Sequence, residues 1–211
     1  MKTELIIRSN SSDIDFALLK DGRLTALNNE SNENKFSVGD IFLAKSGKVL
    51  AGLNASFVNV GFPKDGFLHY HDLGAQLNSL NKFIKGISSG KIKDYTLKNF
   101  HLENDIDKDG SIVDVLKTGQ NLLVQIVKEP ISTKGPRMSS EISIAGRYLV
   151  LVPFSDRVSV SQKIMDTDEK ERLKRLIKSI KPKGFGVIVR TVAENKKVAD
   201  LDKDLQNSLE R

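Results

Sequence analysis

Phe57 and Phe67 are the first residues whose type and setting suggest chemistry. Each follows a small residue, Ser56 or Gly66, in a strand-like run beside a Gly turn. On an open β-barrel, exposed rings stack nucleic-acid bases, worth about 1–3 kcal/mol per base. The same pattern also suits two core rings. Ser132-Thr133-Lys134-Gly135-Pro136-Arg137-Met138-Ser139-Ser140 combines hydroxyls, Gly and two cations, so it can offer backbone N–H groups and positive charge to a phosphate. Val187-Ile188-Val189 reads as a buried strand delivering Arg190-Thr191 to its end. A guanidinium fork beside a hydroxyl matches a terminal phosphate. Singly, each is an ordinary surface turn. Together, on a basic chain, they point to nucleic acid.

Other constellations are incomplete. Asp105-Ile106-Asp107-Lys108-Asp109-Gly110 copies the opening of a calcium-binding EF-hand loop, but Leu116 stands where the bidentate Glu belongs. An acidic turn before a strand is the simpler expectation. His69 and His71 alternate on one strand, with His101 the only other His, and lack a placed carboxylate to complete a metal site. Neither a G-x-S-x-G nor a Walker sequence is present. Asp15, Asp40, Asp72 and Asp114 are scattered beside turns, so no carboxylate pair for metal-assisted hydrolysis stands out. Cys is absent, which excludes thiolate catalysis, disulfides and Cys-bound zinc within these residues. The sequence therefore nominates no catalytic residue, no metal ligand and no cofactor.

These candidates need elements to hold them. Leu5-Ile6-Ile7 and Phe16-Ala17-Leu18-Leu19 read as strands, and Asp21-Gly22 before Leu24 and Leu27 signals a hairpin. Asn28 to Lys35 is polar throughout and reads as a linker. A strand-rich block follows: Val38 to Ala44 with Val49-Leu50, then Ala55 to Gly61, Gly66 to His69, and Leu122 to Val127. Period-2 alternation puts Ala55, Phe57 and Asn59 on one face and Ser56, Val58 and Val60 on the other. Short strands with Gly at the corners predict a small barrel. Residues from about 72 to 117 interrupt it; Leu77, Leu80, Phe83 and Ile84 give that insertion a helix, with loops after Lys85. The last third is α+β. Arg147 to Pro153 is a strand. Asp166 caps a helix, with Glu169 at the capping-box position and Leu173, Leu176, Ile177 and Ile180 on one stripe. A second helix begins near Ala199.

Composition sets outer bounds. The 211 residues hold 33 Lys and Arg against 27 Asp and Glu, a net charge of +6 that suits a polyanionic partner. Hydrophobic residues at 39% and charged ones at 28% describe a globular chain. No apolar run approaches the length of a membrane span, and the N-terminus lacks a signal-peptide core, so a cytoplasmic protein without membrane contact is expected. No internal repeat is visible.

Three runs resemble the ribonuclease E/G family: Val124 to Arg137, Ile144 to Pro153, and Gly186 to Glu194. Leu53 to Gly61 followed by Gly66 to His69 completes the likeness, which covers essentially the whole chain in order. It looks closest to ribonuclease G-like members of Bacteroidetes-type bacteria, which carry a long insertion in the barrel. The resemblance implies an α+β architecture. Residues 1–36 would be the first segment of a subdomain resembling ribonuclease H. Residues 37–128 would be an S1 RNA-binding domain of OB fold, with the insertion at about 72–117. Residues 129–211 would be a mixed α/β 5′-sensor domain. Phe57 and Phe67 would stack on RNA bases, Lys134 would contact the strand, and Arg190 and Thr191 would hold a 5′-monophosphate. Gly146 and Val150, from the resemblance alone, would form the pocket wall. Ala44 stands where many relatives have Gly. Family members are longer, with paired magnesium-binding aspartates beyond the sensor. The chain thus resembles the N-terminal, substrate-recognition half of a single-strand-specific endoribonuclease of rRNA processing and mRNA decay. By itself it would be inactive; the complete enzyme would need magnesium and act as a homo-oligomer. A stand-alone single-stranded nucleic-acid-binding protein without catalysis is the alternative.

Overall fold

The computed structural model describes residues 2–31, 36–94 and 96–211. Asp21 and Gly22 both have positive φ, 47° and 75°, the hand that a two-residue hairpin between right-twisted strands requires. They join β2 (Asp13–Lys20) to β3 (Arg23–Ser31), and β1 (Thr3–Ser9) pairs antiparallel on the other edge of β2, giving a sheet of order β1-β2-β3. Strand β3 continues through Asn28-Asn29-Glu30-Ser31, where composition predicts linker. Asn29 sits across from Asp15 and its amide donates to Oδ1 at 2.7 Å, so this polar residue has a cross-strand partner. The remainder of that linker, Asn32 to Lys35, lies outside the described residues. Leu5, Ile6 and Ile7 on β1 and Leu24 and Leu27 on β3 are all more than half exposed, at 54% or above. Residues Met1–Ser37 form one compact unit and Val38–Arg211 a second.

In the second unit, β4 (Ile41–Leu50), β5 (Ala55–Asn59), β6 (Gly66–His69), β7 (Asn121–Lys128) and β8 (Arg137–Ser139) close into a barrel of order β4-β5-β6-β8-β7. The closed five-stranded barrel is OB-like. Ala44, Val58, Leu68, Leu122, Val124, Ile126 and Met138 fill it, each no more than 3% exposed. The first barrel strand starts at Ile41, because Gly39 turns the chain at φ 99°. The closing strand lies past Lys128, where the sequence ends the barrel; three residues are too few to show a period. Ala55 is buried together with Ser56, against the alternation. Its neighbour Asn54 pins the insertion over that end of the barrel: Nδ2 donates to Gly110 O, and Oδ1 accepts the Ile112 N–H.

The insertion is built from α1 (Leu77–Ser88), a long loop and one turn of helix, α2 (Ile112–Val115), where the sequence predicts a strand after the acidic turn. That acidic turn wraps a tyrosine: the Tyr70 hydroxyl donates to Asp107 O. Burial, then the charge of Asp107, raises the Tyr70 pKa above its ordinary value. Phe83 and Phe100 of the insertion meet Phe154 edge to face, with centroids 5.3–5.6 Å apart. Leu80, Ile84, Leu97 and Ile142 join the cluster, against which Leu123 of β7 also packs.

A sheet of order β11-β12-β10-β9 follows, from β9 (Ile144–Ala145), β10 (Leu149–Pro153), β11 (Val158–Val160) and β12 (Phe185–Val189). Strands β11 and β12 are parallel. Helices α3 (Thr167–Ile180) and α4 (Val198–Leu209) contribute Leu173, Ile177, Leu201 and Leu205 to its core, all 0% exposed. Asp166 caps α3 by accepting the Asp168 and Glu169 N–H groups. Lys181, before Pro182, is extended at ψ 139° and ends the helix. No helix among the described residues is long and apolar enough to cross a membrane.

Glu169 does not complete the capping box. Its buried carboxylate takes Arg172 Nε and Nη2 at 2.5 and 2.7 Å and the Asn195 N–H at 2.8 Å, tying α3 to the loop before α4. The bond from Arg172 holds its pKa below the usual carboxylate range, against the opposing effect of burial. The pair's contribution is therefore complete above the unfolded carboxylate pKa of about 4.3 and vanishes as pH falls through the lower folded value. Arg172 is 38% exposed and can turn to water, so Glu169→Ala is expected to cost about 2 kcal/mol. Urea unfolding at pH 7 measures this. Repeated under acid, the difference from wild type shrinks.

Candidate nucleic-acid interface

Antiparallel pairing of β5 and β6 sets Phe57 directly opposite Phe67. Both rings point outward and are half-buried, while Ser56, Val58 and Leu68 point inward at 0% exposure. The rings meet edge to face, with centroids 6.1 Å apart and planes at 69°. With Lys64, Asp65, Thr133, Lys134, Gly135 and Arg137 they line an open groove of about 570 Å³. Lys134 reaches it from a tight turn: Ile131 and Lys134 exchange both backbone hydrogen bonds around Ser132, at φ 53°. Gly135 packs on the Lys64–Asp65 turn so closely that a Cβ would fall 2.1 Å from Asp65 O. Backbone approach thus brings three candidates of separate origin, Phe57, Phe67 and Lys134, to one groove.

Only part of the predicted Ser132–Ser140 loop is a loop. Arg137 lies in β8, and its guanidinium forks the Asp72 carboxylate at 2.9–3.1 Å. Ser139 donates to Asp72 O and is buried. Barrel closure consumes those groups, which leaves Ser132 to Lys134 exposed, with Gly135 partly covered and Pro136 buried.

The second place is the carboxyl end of the parallel strands. Arg190 follows β12 and Ser161 follows β11, with the Ser161 N–H bonded to Val189 O. The Thr191 and Ser161 hydroxyls lie 3.0 Å apart, and Ser161 Oγ accepts the Lys163 N–H. Arg190 is exposed; its N–H donates to Tyr148 O, and Nη1 donates to Gly146 O at 2.7 Å. The turn of Gly146 therefore aims the guanidinium. Val150 pairs with Ile188 on the sheet face away from the core residues Leu149, Leu151, Val187 and Val189. An exposed guanidinium can bind a phosphate dianion with charge-assisted bonds.

Sequence reasoning misses Asp204. Its Oδ1 accepts the Arg147 N–H, and its Oδ2 accepts those of Tyr148 and Leu149, all at 2.8–2.9 Å. The strand predicted from Arg147 therefore begins at Leu149. A Cβ on Gly146 would meet the same carboxylate at 2.6 Å, so glycine is needed there for close packing. The available signal is a carboxylate on the α4 stripe, three residues after Leu201 and four before Ser208, both buried. Because Asp204 takes these amides, they are not free to hold an anion beside Gly146.

The remaining candidates resolve into local structure. His69 Nδ1 accepts the His71 N–H, and the two rings touch edge to face at 4.9 Å. Among the described residues, no three His, Asp or Glu side chains converge to hold a metal ion.

Residues 143–211 match the model of the Ribonuclease E/G family. Over 204 residues the chain is 31% identical to Ribonuclease G of Escherichia coli K12, a match covering 97% of the chain and 38% of that protein. It is 36% identical over 170 residues to Ribonuclease E of a Nostoc species, covering 80% of the chain and 21% of the relative. Ribonuclease G of Haemophilus influenzae is 29% identical over 203 residues. The chain thus spans 38% of the length of the ribonuclease G relatives it matches first.

Proposed function

We propose, from the premise that this chain belongs to the ribonuclease E/G family, that its residues select the RNA which a longer cytoplasmic endoribonuclease cuts. Phe57 and Phe67 stack bases of a single strand, and Lys134 holds the adjoining phosphate, in the manner of an S1 domain. Arg190 and Thr191 grip a 5′-monophosphate beside Gly146, with Val150 on the adjoining sheet face. The sheet of residues 3–31 is the opening segment of a subdomain resembling ribonuclease H. Hydrolysis, with any magnesium it needs, belongs to parts of the protein outside these residues. The observation that supports the reading is the exposed Arg190 guanidinium at the end of β12, held on Gly146 O and followed directly by Thr191.

The test compares single-stranded oligoribonucleotides with 5′-monophosphate and 5′-hydroxyl ends. One charge-assisted contact is worth about 1.5–3 kcal/mol, so a preference of roughly ten- to hundredfold for the phosphate is expected. Arg190→Ala removes that preference and leaves affinity for the hydroxyl end unchanged. Equal affinity of the wild type for both ends overturns end recognition. The chain would then be a plain single-strand binder acting through its barrel.

A further inference from the structure

The polar face of α1 lines a groove. Asn78, Asn81, Lys82, Lys85 and Ser89 follow one another at helical spacing and wall a groove of about 890 Å³. Two other segments complete it, and each is fastened. After α1 the chain turns at Gly90, φ 70°, and doubles back, with the Lys91 and Ile92 N–H groups both on Gly86 O. Lys91 is thereby set beside the last turn of α1. Opposite, Ser46 of β4 clamps the Lys117–Gln120 turn: its hydroxyl donates to Lys117 O and accepts the Gln120 N–H.

The charges in this groove do not cancel. Lys82 pairs with Glu103 at 2.5 Å, which leaves Lys85, Lys91 and Lys117 facing Asp114. All three lysines are exposed. Asn81, in the wall, has a side-chain carbonyl without a hydrogen-bond partner among the described residues. Such a lining suits a chain of phosphates and hydroxyls, and repels an apolar molecule.

We infer that the insertion carries a second binding site for single-stranded RNA, which takes the phosphodiester backbone beyond the bases stacked on Phe57 and Phe67. Position supports this occupant. Ser46, which anchors the far wall, lies across from Val58, the residue after Phe57. Exposed Lys45 and Lys48 flank Ser46 and add positive charge to the strand that pairs with β5. The inference rests on the single-strand reading of the barrel face, and its test separates the two.

The probes are 5′-hydroxyl oligoribonucleotides, a short one of about 4 nucleotides and a long one of about 12, within the range that such barrels span. The proteins are wild type, the triple variant Lys85→Gln, Lys91→Gln, Lys117→Gln, and Phe57→Ala, each checked for an unchanged melting curve. Wild type is expected to bind the long probe more tightly. The triple variant loses about tenfold on the long probe and nothing on the short one, and its log–log salt slope is shallower by about 2. Phe57→Ala weakens both probes. An unchanged long-probe affinity in the triple variant overturns the groove while the barrel reading stands. A wild type that binds neither probe overturns both. A mononucleotide that binds wild type but not the triple variant, with no gain from length, makes the groove a small-phosphate site and also overturns the inference.

Discussion

Asp204→Ala is expected to lower stability by about 3–5 kcal/mol, since it orphans three backbone N–H groups at about 1–3 kcal/mol each, partly offset by water. Those donors, at Arg147, Tyr148 and Leu149, shape the turn into β10. Asp204→Asn keeps one good acceptor oxygen and retains at most two of the three bonds, so it falls between Ala and wild type. Gly146→Ala drives a methyl against the same carboxylate, 2.6 Å away, and mimics a weaker Asp204→Ala. Equilibrium urea unfolding reads all three as shifts of midpoint at constant slope. The effect reaches the end-binding place as well. Arg190 bonds to Tyr148 O and Gly146 O within that turn, so loosening it lowers any preference for a 5′-phosphate. An Asp204→Ala midpoint equal to wild type would show that the turn holds itself.

The second large effect belongs to the paired rings. Phe57→Ala with Phe67→Ala should weaken single-strand binding by about 2–5 kcal/mol, roughly thirtyfold or more, if each ring stacks one base. Each single change should cost about half. The rings are half-buried and touch each other, so the double variant also loses some packing, but Ser56, Val58 and Leu68 keep the barrel core intact. Leu at both positions separates the two roles: it keeps apolar volume and removes the flat π-face. Anisotropy titration with a labelled oligonucleotide, run beside thermal melts, decides the matter. Full affinity in the Leu pair, or a melting collapse with unchanged affinity in the Ala pair, would make the rings packing residues.

What could be read from the residues alone was whatever has a period or a local signature. Asp21-Gly22, the Asp166 cap and the Leu173–Ile180 stripe each work within a few neighbours, and each appears in the fold. The barrel strands with four or more residues were legible too. Strand β8 was not, because three residues carry no alternation and its place depends on partners in β6 and β7. Asn28 to Ser31 misled through composition, since its backbone pairs with β2 and Asn29 finds Asp15 across the strands. Glu169 held a capping-box position yet found Arg172 and Asn195, partners that only the packed helices supply. In the candidate site, Phe57, Phe67, Lys134 and Arg190 announced themselves by type. Asp204 and Ser161 did not, because their roles depend on contacts spanning tens of residues.

The aromatic wedge of Phe83, Phe100 and Phe154 has a consequence for any RNA lying across the barrel and the neighbouring sheet. It is a strut between them, seated on β7 at Leu123 and on the start of β12 at Phe185. With the strut in place, neither surface swings freely against the other. On the proposed function, the interval between a captured terminus and the nearest stacked base is then a ruler cut during folding, and a fragment shorter than that gap would reach one surface or the other.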